Sequence, residues 1–177
     1  MSVFGSVFGA GSNARTINPG GWGFYADSAT TQGDAQVVTN SASVFTTLPN
    51  DSDFVVEELP YDTETSLWNS STSLILPYNL HDTFHLRLKM TVENYSGSAP
   101  YLELCLNGGG ATGMFECQSQ VLVKGGNPQT VELKGGVFVG SDFLANGGLF
   151  QMRYDGNGSI DVYNKTYFIE RIYKNVP

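Results

Sequence analysis

From Asp82 to Asn94 the chain reads DTFHLRLKMTVEN, and Phe84, Leu86, Leu88, Met90 and Val92 alternate with His85, Arg87, Lys89, Thr91 and Glu93. A period of two puts all five apolar side chains on one face, so this segment predicts a long strand with one side in a core. Its other side faces water or a neighbouring subunit. Next, YLELCLN sets Leu102, Leu104 and Leu106 on one face and Tyr101, Glu103 and Cys105 on the other, and Gly108 to Gly110 end it, which predicts a hairpin. Similar patterning, cut at short intervals by turn residues, predicts strands over 23–27, 43–48, 54–57, 73–77, 115–124, 130–134, 137–144, 149–154, 159–163 and 167–173. Asn146-Gly147-Gly148 and Asp155-Gly156-Asn157-Gly158 lie between the later strands, and such residues adopt positive φ cheaply and build tight turns. The span 50–69, with Asp51/Asp53, Glu57/Glu58 and Pro60, reads as a surface excursion holding one strand at most. No stretch carries the i, i+3, i+4, i+7 apolar pattern of a helix.

About ten to twelve short strands joined by Gly-, Asn- and Pro-rich turns predict an all-β fold, an antiparallel two-sheet jelly-roll sandwich over residues 22–177. Residues 1–21 differ. They hold a tandem SVFG repeat (Ser2 to Gly5, Ser6 to Gly9), then Gly, Ser and Asn, with Arg15 as the one charged side chain. Glycine between Phe4 and Phe8 makes a poor helix, and the repeat is too short to be a solenoid unit. The segment therefore reads as an extended N-terminal arm that plugs Val3, Phe4, Val7 and Phe8 into a partner, or else as a free tail.

Composition narrows the partners. The chain has 177 residues, Lys+Arg 9 against Asp+Glu 17, and a formal charge of −8, with only 15% charged residues. That is one domain, large enough to build a core without a metal or disulfide framework. The acidic balance disfavours nucleic acid and anionic membranes, both of which are bound through clustered Lys and Arg. The N-terminus shows no basic stretch followed by an apolar run, which predicts a soluble protein made in the cytosol. In that compartment Cys105 and Cys117 are expected to be reduced, buried thiols.

Candidate chemistry is sparse. Asp155, Asn157, Ser159 and Asp161 have the spacing that opens a calcium loop, but Ile160 stands where that loop needs Gly and Thr166 where it needs Glu, so a tight turn is the simpler reading. His81 and His85 are four apart, and along a strand they are too far apart to chelate together, so no metal site is expected there. There is no G-x-S-x-G elbow, no recognisable Cys–His arrangement and no phosphate loop, and the sequence points away from an enzyme and requires no cofactor. Aromatic residues supply the remaining signal. Trp22, Tyr25, Trp68, Tyr78, Tyr101 and Tyr154 lie beside turns or on the polar phase of strands; of these, Trp22, Trp68 and Tyr101 are the candidate surface binding residues, for sugar rings or for another subunit.

GFYADSATT (23–31), TLPND (47–51), ELPYD (58–62), Trp68 with SLILP (73–77), DTFHLRLKMTVEN (82–94), FLANGG (143–148) and TYFIERIYK (166–174) together make residues 22–175 resemble the jelly-roll domains of viral virion proteins. The resemblance is to the knob-like, tumour-necrosis-factor-like sandwiches of bacteriophage capsid decoration proteins and fibres. It implies a homotrimer, located on the virion capsid surface after synthesis in the host cytoplasm, that cements the shell by docking on the major capsid protein. It also implies that the arm, through Val3, Phe4, Val7, Phe8 and Arg15, grips the lattice. No coiled-coil or collagen-like stalk is present, which favours a surface cap over a fibre. The alternative the residues leave open is a glycan-binding module or the receptor-binding tip of a virion fibre.

Overall fold

The structure, a computed structural model, describes residues 20–27, 30–41, 43–59, 65–95, 100–109 and 113–173. Among them run twelve strands: β1 (Trp22–Ala26), β2 (Gln36–Thr39), β3 (Thr46–Thr47), β4 (Phe54–Glu58), β5 (Trp68–Asn69), β6 (Leu74–Ile75), β7 (Thr83–Asn94), β8 (Tyr101–Asn107), β9 (Met114–Val121), β10 (Gln129–Phe138), β11 (Leu149–Tyr154) and β12 (Ser159–Tyr173). One helix, α1 (Ser141–Asn146), and a single 3-10 turn at Gln32–Asp34 complete the described elements.

All named strand pairs are antiparallel. A six-stranded sheet follows the order β10-β7-β12-β1-β4, with β2 also on β12, and a four-stranded sheet follows β3-β11-β8-β9. Strands β5 and β6 form a separate small pair. The chain is an all-β antiparallel sandwich, as the alternation predicts. The inward phase of β7 (Phe84, Leu86, Leu88, Met90, Val92) and that of β8 (Leu102, Leu104, Leu106) both lie in the core, together with Phe150 and Met152 of β11 and Ile160, Val162 and Ile169 of β12.

Strand β12 is the spine of the larger sheet. It pairs along one side with β7, and along the other first with β2 and then with β1. The change of partner coincides with an irregularity between Tyr163 and Thr166, where Asn164 takes φ 51°. Asn tolerates that conformation better than most residues, and such a bulge re-aims the side chain beside it. Lys165 is accordingly buried, with Nζ 3.2 Å from Asp27 Oδ2. Its backbone carbonyl accepts from the Asp27 N–H and from Asn50 Nδ2. Burial lowers the Lys165 pKa below its ordinary value, against the opposing pull of Asp27.

Three differences from the sequence reading have physical causes. The strand expected over 137–144 ends at Phe138, and α1 follows, because Gly140 interrupts the alternation and Ser141-Asp142 open a helical turn that buries Phe143. Gly147, at φ 74°, ends that turn with its N–H on the Phe143 carbonyl, a conformation glycine adopts at little cost. The excursion over 50–69 holds β4 and also β5, and β2 had no counterpart among the expected strands.

The third difference is the cysteines. Cys105 and Cys117 are direct partners across the β8–β9 ladder, with Cα atoms 4.2 Å apart, and they form a disulfide rather than two reduced thiols. Cys105 is buried and Cys117 is exposed. Compartment reasoning does not see register; the β8–β9 pairing does, since it sets the two positions directly opposite each other. With a sequence separation of 12, the crosslink is expected to contribute about 3 kcal/mol. Urea unfolding of Cys117→Ser against the native protein measures this, and thiol titration in denaturant should find no free thiol before reduction and two after it.

Candidate functional site

The two outward faces of the sandwich differ in chemistry. On the six-stranded sheet, β-register aligns outward residues in rows. One row runs Lys134, Arg87, Phe168, Phe24, Val56 from β10 to β4; the next runs Gly136, His85, Glu170, Trp22, Glu58; a third runs Glu132, Lys89, Thr166, Ala26, Phe54. Read across the sheet, one side is basic, the middle is aromatic, and the β4 edge is apolar and acidic. Trp22 stacks on Phe168 with ring centroids 5.9 Å apart, and Phe24 meets Phe54 edge to face at 6.3 Å. Phe54, Val55 and Val56 are 55%, 44% and 40% exposed, so the edge strand offers apolar groups on both its faces. Among the described residues, β4 pairs only with β1, which leaves its other backbone edge open.

On the basic side, Glu132 pairs with Arg87 and, at 2.8 Å, with Lys134. The Lys134 hydrogen bond, aided by Arg87, holds the Glu132 carboxyl below the usual carboxylate range. His85 Nδ1 lies 3.5 Å from Glu170 Oε2. At the end of the sheet, Gly20, Gly21, Trp22, Glu57, Glu58, Leu59, Glu170, Arg171 and Ile172 enclose an open groove of about 670 Å3. Its wall is fixed by Arg171, whose Nε donates to the Gly20 carbonyl at 2.8 Å. A side chain at Gly20 would collide with the Arg171 carbonyl, so only glycine fits there.

The four-stranded sheet presents an outward face that is mostly polar. Thr47, Gln151, Cys105 and Cys117 form one row; Arg153, Glu103 and Ser119 form the next. Asn107 Nδ2 donates to Gln151 Oε1 at 3.0 Å, Arg153 pairs with Glu103, and the Arg153 guanidinium sits 5.0 Å from the centre of the Phe45 ring. Tyr101, Glu103, Ser119, Arg153 and Asp155 line a cup of about 330 Å3.

The expected surface aromatics do not converge. Trp22 is half-buried on the six-stranded face, whereas Tyr101 is exposed on the four-stranded one. Trp68 is not a surface residue: it is buried, donates Nε1–H to the Asn50 carbonyl at 3.2 Å, and packs edge to face on Tyr167 at 4.9 Å. Tyr25 and Tyr154, also read as polar-phase aromatics, are core residues. A Trp or Tyr beside a turn satisfies its polar tip on backbone or side-chain oxygens and buries the rest, which sequence position alone does not reveal. The arm residues Val3, Phe4, Val7, Phe8 and Arg15 lie outside the described residues. Phe24, Phe54, Val56 and Phe168 were not singled out from the sequence; the broken alternation of Phe54-Val55-Val56 is the signal that an edge strand is present there. In the calcium-like segment, Asp155 Oδ1 accepts the Tyr101 N–H and Ile160 is in the core, which is the arrangement of a hairpin turn.

Similarity to known proteins lies in solved structures. One that is similar to this chain is Eiger TNF from S. frugiperda, at 11% identity and a TM-score of 0.46, covering 90% of this chain and 97% of that one. No family model and no curated protein matches the sequence.

Proposed function

We propose that this protein is a non-enzymatic structural component of a virion, a capsid decoration protein that docks on the assembled shell as a homotrimer and cements it. The carrying observation is the outward face of the six-stranded sheet, where Trp22, Phe24, Phe54, Val56 and Phe168 form an apolar strip between the basic side bearing Arg87, Lys89 and Lys134 and the acidic Glu58 at the β4 edge. A heterologous contact that brings the acidic edge of one copy to the basic side of the next is complementary in charge and buries the strip. Three such contacts close a ring. Each copy then carries an N-terminal arm, and three weak attachments to the major capsid protein act together through effective concentration. Because the trimer binds the assembled lattice and not its free subunits, it stabilises the shell by linkage. The −8 charge keeps crowded outer surfaces from associating further.

Light scattering of the purified protein is the direct test. A three-chain species is expected, and Phe24→Asp, which places a charge inside the strip without touching the core, is expected to yield monomers that keep the native spectrum. Removing residues 2–12 should leave the trimer intact and abolish attachment to shells. A native protein that stays monomeric at every concentration overturns the self-association, and unchanged attachment without the arm overturns the arm's role.

A further inference from the structure

We infer that the cup on the outward face of the four-stranded sheet binds a neutral saccharide, with Tyr101 as its stacking platform. This site lies on the opposite sheet from the proposed assembly strip and does not depend on it. At about 330 Å3 the cup is at the small end of the roughly 300–1,000 Å3 of small-molecule pockets. The Tyr101 residue is 58% exposed at its rim, and its backbone is held on both sides: its N–H donates to Asp155 Oδ1 at 2.7 Å, and its carbonyl accepts the Asp155 N–H at 3.1 Å. An exposed aromatic face on a fixed backbone suits the C–H face of a sugar ring, which is apolar while its edge is a ring of hydroxyls.

The floor and walls match that edge. Glu103 and Arg153 face each other across the β8–β11 ladder and are ion-paired, so carboxylate acceptors and guanidinium donors stand side by side. Vicinal hydroxyls both donate and accept, and such a pair can satisfy both demands. Ser119, opposite Glu103 on β9, adds a hydroxyl that does either. The charge count is two carboxylates, Glu103 and Asp155, against one guanidinium, Arg153, and this net negative lining works against phosphates, sialic acids and uronic acids. The cup is mostly polar, which also sets it apart from a protein-docking groove. A metal has no claim on it: Glu103 is close to both cysteine sulfurs, but these are committed to each other as a disulfide.

Rigidity supports the assignment. Tyr101, Glu103, Ser119 and Arg153 stand on three adjacent strands, and the Cys105–Cys117 crosslink ties two of those strands one step further along the same outward face. Groups held in this way need little ordering when a ligand arrives. Arg153 is further fixed against the Phe45 ring. A single shallow cup of this kind binds weakly, and any multivalent display multiplies its effect.

The test is NMR titration of the isotope-labelled protein with free galactose, glucose, mannose, fucose and N-acetylglucosamine, with sialic acid as the charged control. Saturable shifts of the amides around Tyr101, Ser119 and Arg153 with at least one neutral sugar, and none with sialic acid, are expected. Tyr101→Ala should weaken that binding about tenfold, while Tyr101→Phe keeps the stacking face and the affinity. Because the Tyr101 side chain is exposed, the rest of the spectrum reports that both variants remain folded. Absence of saturable shifts with every neutral sugar up to its solubility limit overturns the proposal, as does binding that survives Tyr101→Ala unchanged or that prefers sialic acid.

Discussion

Asp82→Ala is expected to lower the stability of the fold by about 3–5 kcal/mol, measured by urea unfolding. Asp82 and Arg171 are both fully buried, with Arg171 Nη1 3.6 Å from Asp82 Oδ2. The guanidinium also donates to the Gly20 carbonyl and lies 5.9 Å from the centre of the Tyr78 ring. Removing the carboxylate leaves a cation that cannot shed its charge in a poorly solvating interior, and that penalty exceeds the loss of one contact. At this chain length the loss corresponds to a fall in Tm of roughly ten degrees. The double variant Asp82→Leu with Arg171→Met should recover most of it, because two apolar side chains need no compensation for desolvation. If Asp82→Ala unfolds within 1 kcal/mol of the native protein, a threshold set by the small value typical of exposed pairs, the ion pair does not hold the end of β12 in place.

Above pH 10 the protein is expected to unfold cooperatively as tyrosines that the fold keeps protonated are forced to ionise. Among the described residues, four tyrosines have raised pKa values. Tyr167 is raised by complete burial, and Tyr25 by burial and then by its hydrogen bond to Glu57. Tyr163 is pushed up to about 12 by burial and then by Glu93. Tyr95 is pushed up to about 12, chiefly by donating to Glu93. In the unfolded chain these phenols lose their protons near pH 10, so above it the folded state binds more protons and stability falls as pH rises toward the folded values. Lys165 acts in the opposite sense, since its lowered pKa makes stability rise with pH up to the ordinary lysine value, but it is one group against four. Near-ultraviolet phenolate absorbance should therefore appear together with loss of the β spectrum, and Glu93→Gln should move the ionisation of Tyr95 and Tyr163 to lower pH. Phenolate appearing fully before any structural change would overturn this account. On the acid side, Glu93 and Glu132 have lowered pKa values, so their stabilisation is present above the ordinary carboxylate range and is lost as pH falls below it through the lowered folded values.

Local periodicity carried the sandwich. The alternation of 82–94 names the inward residues of β7 one by one, and YLELCLN does the same for β8. What the alternation could not carry was pairing between distant segments. That β12 lies between β7 and β1, and that Cys105 meets Cys117, follow from long-range register. Trp68 shows the same limit from another side: a lone tryptophan in a polar stretch looks exposed until the chain brings Tyr25, Phe150 and Tyr167 around it. The candidate surfaces were legible only in part. Tyr101 and Trp22 could be picked out singly, but the aromatic strip joins residues near 24, 54 and 168, and the cup joins residues near 101, 119 and 153, which no single window of sequence contains.

The pairing of β1 with β12 also fixes how the molecule bears load. The first and last described strands are antiparallel neighbours, with Trp22 opposite Glu170 and the Arg171 N–H on the Gly21 carbonyl at 2.9 Å. Tension applied at the two ends of the described chain would therefore peel this ladder apart one rung at a time, from Trp22–Glu170 toward Ala26–Thr166. Rungs that break in series resist far less force than rungs sheared together. Force delivered across a sheet face is instead shared by many rungs in parallel. A tether through both ends is thus the weak axis of this fold, and a grip spread over its surface is the strong one.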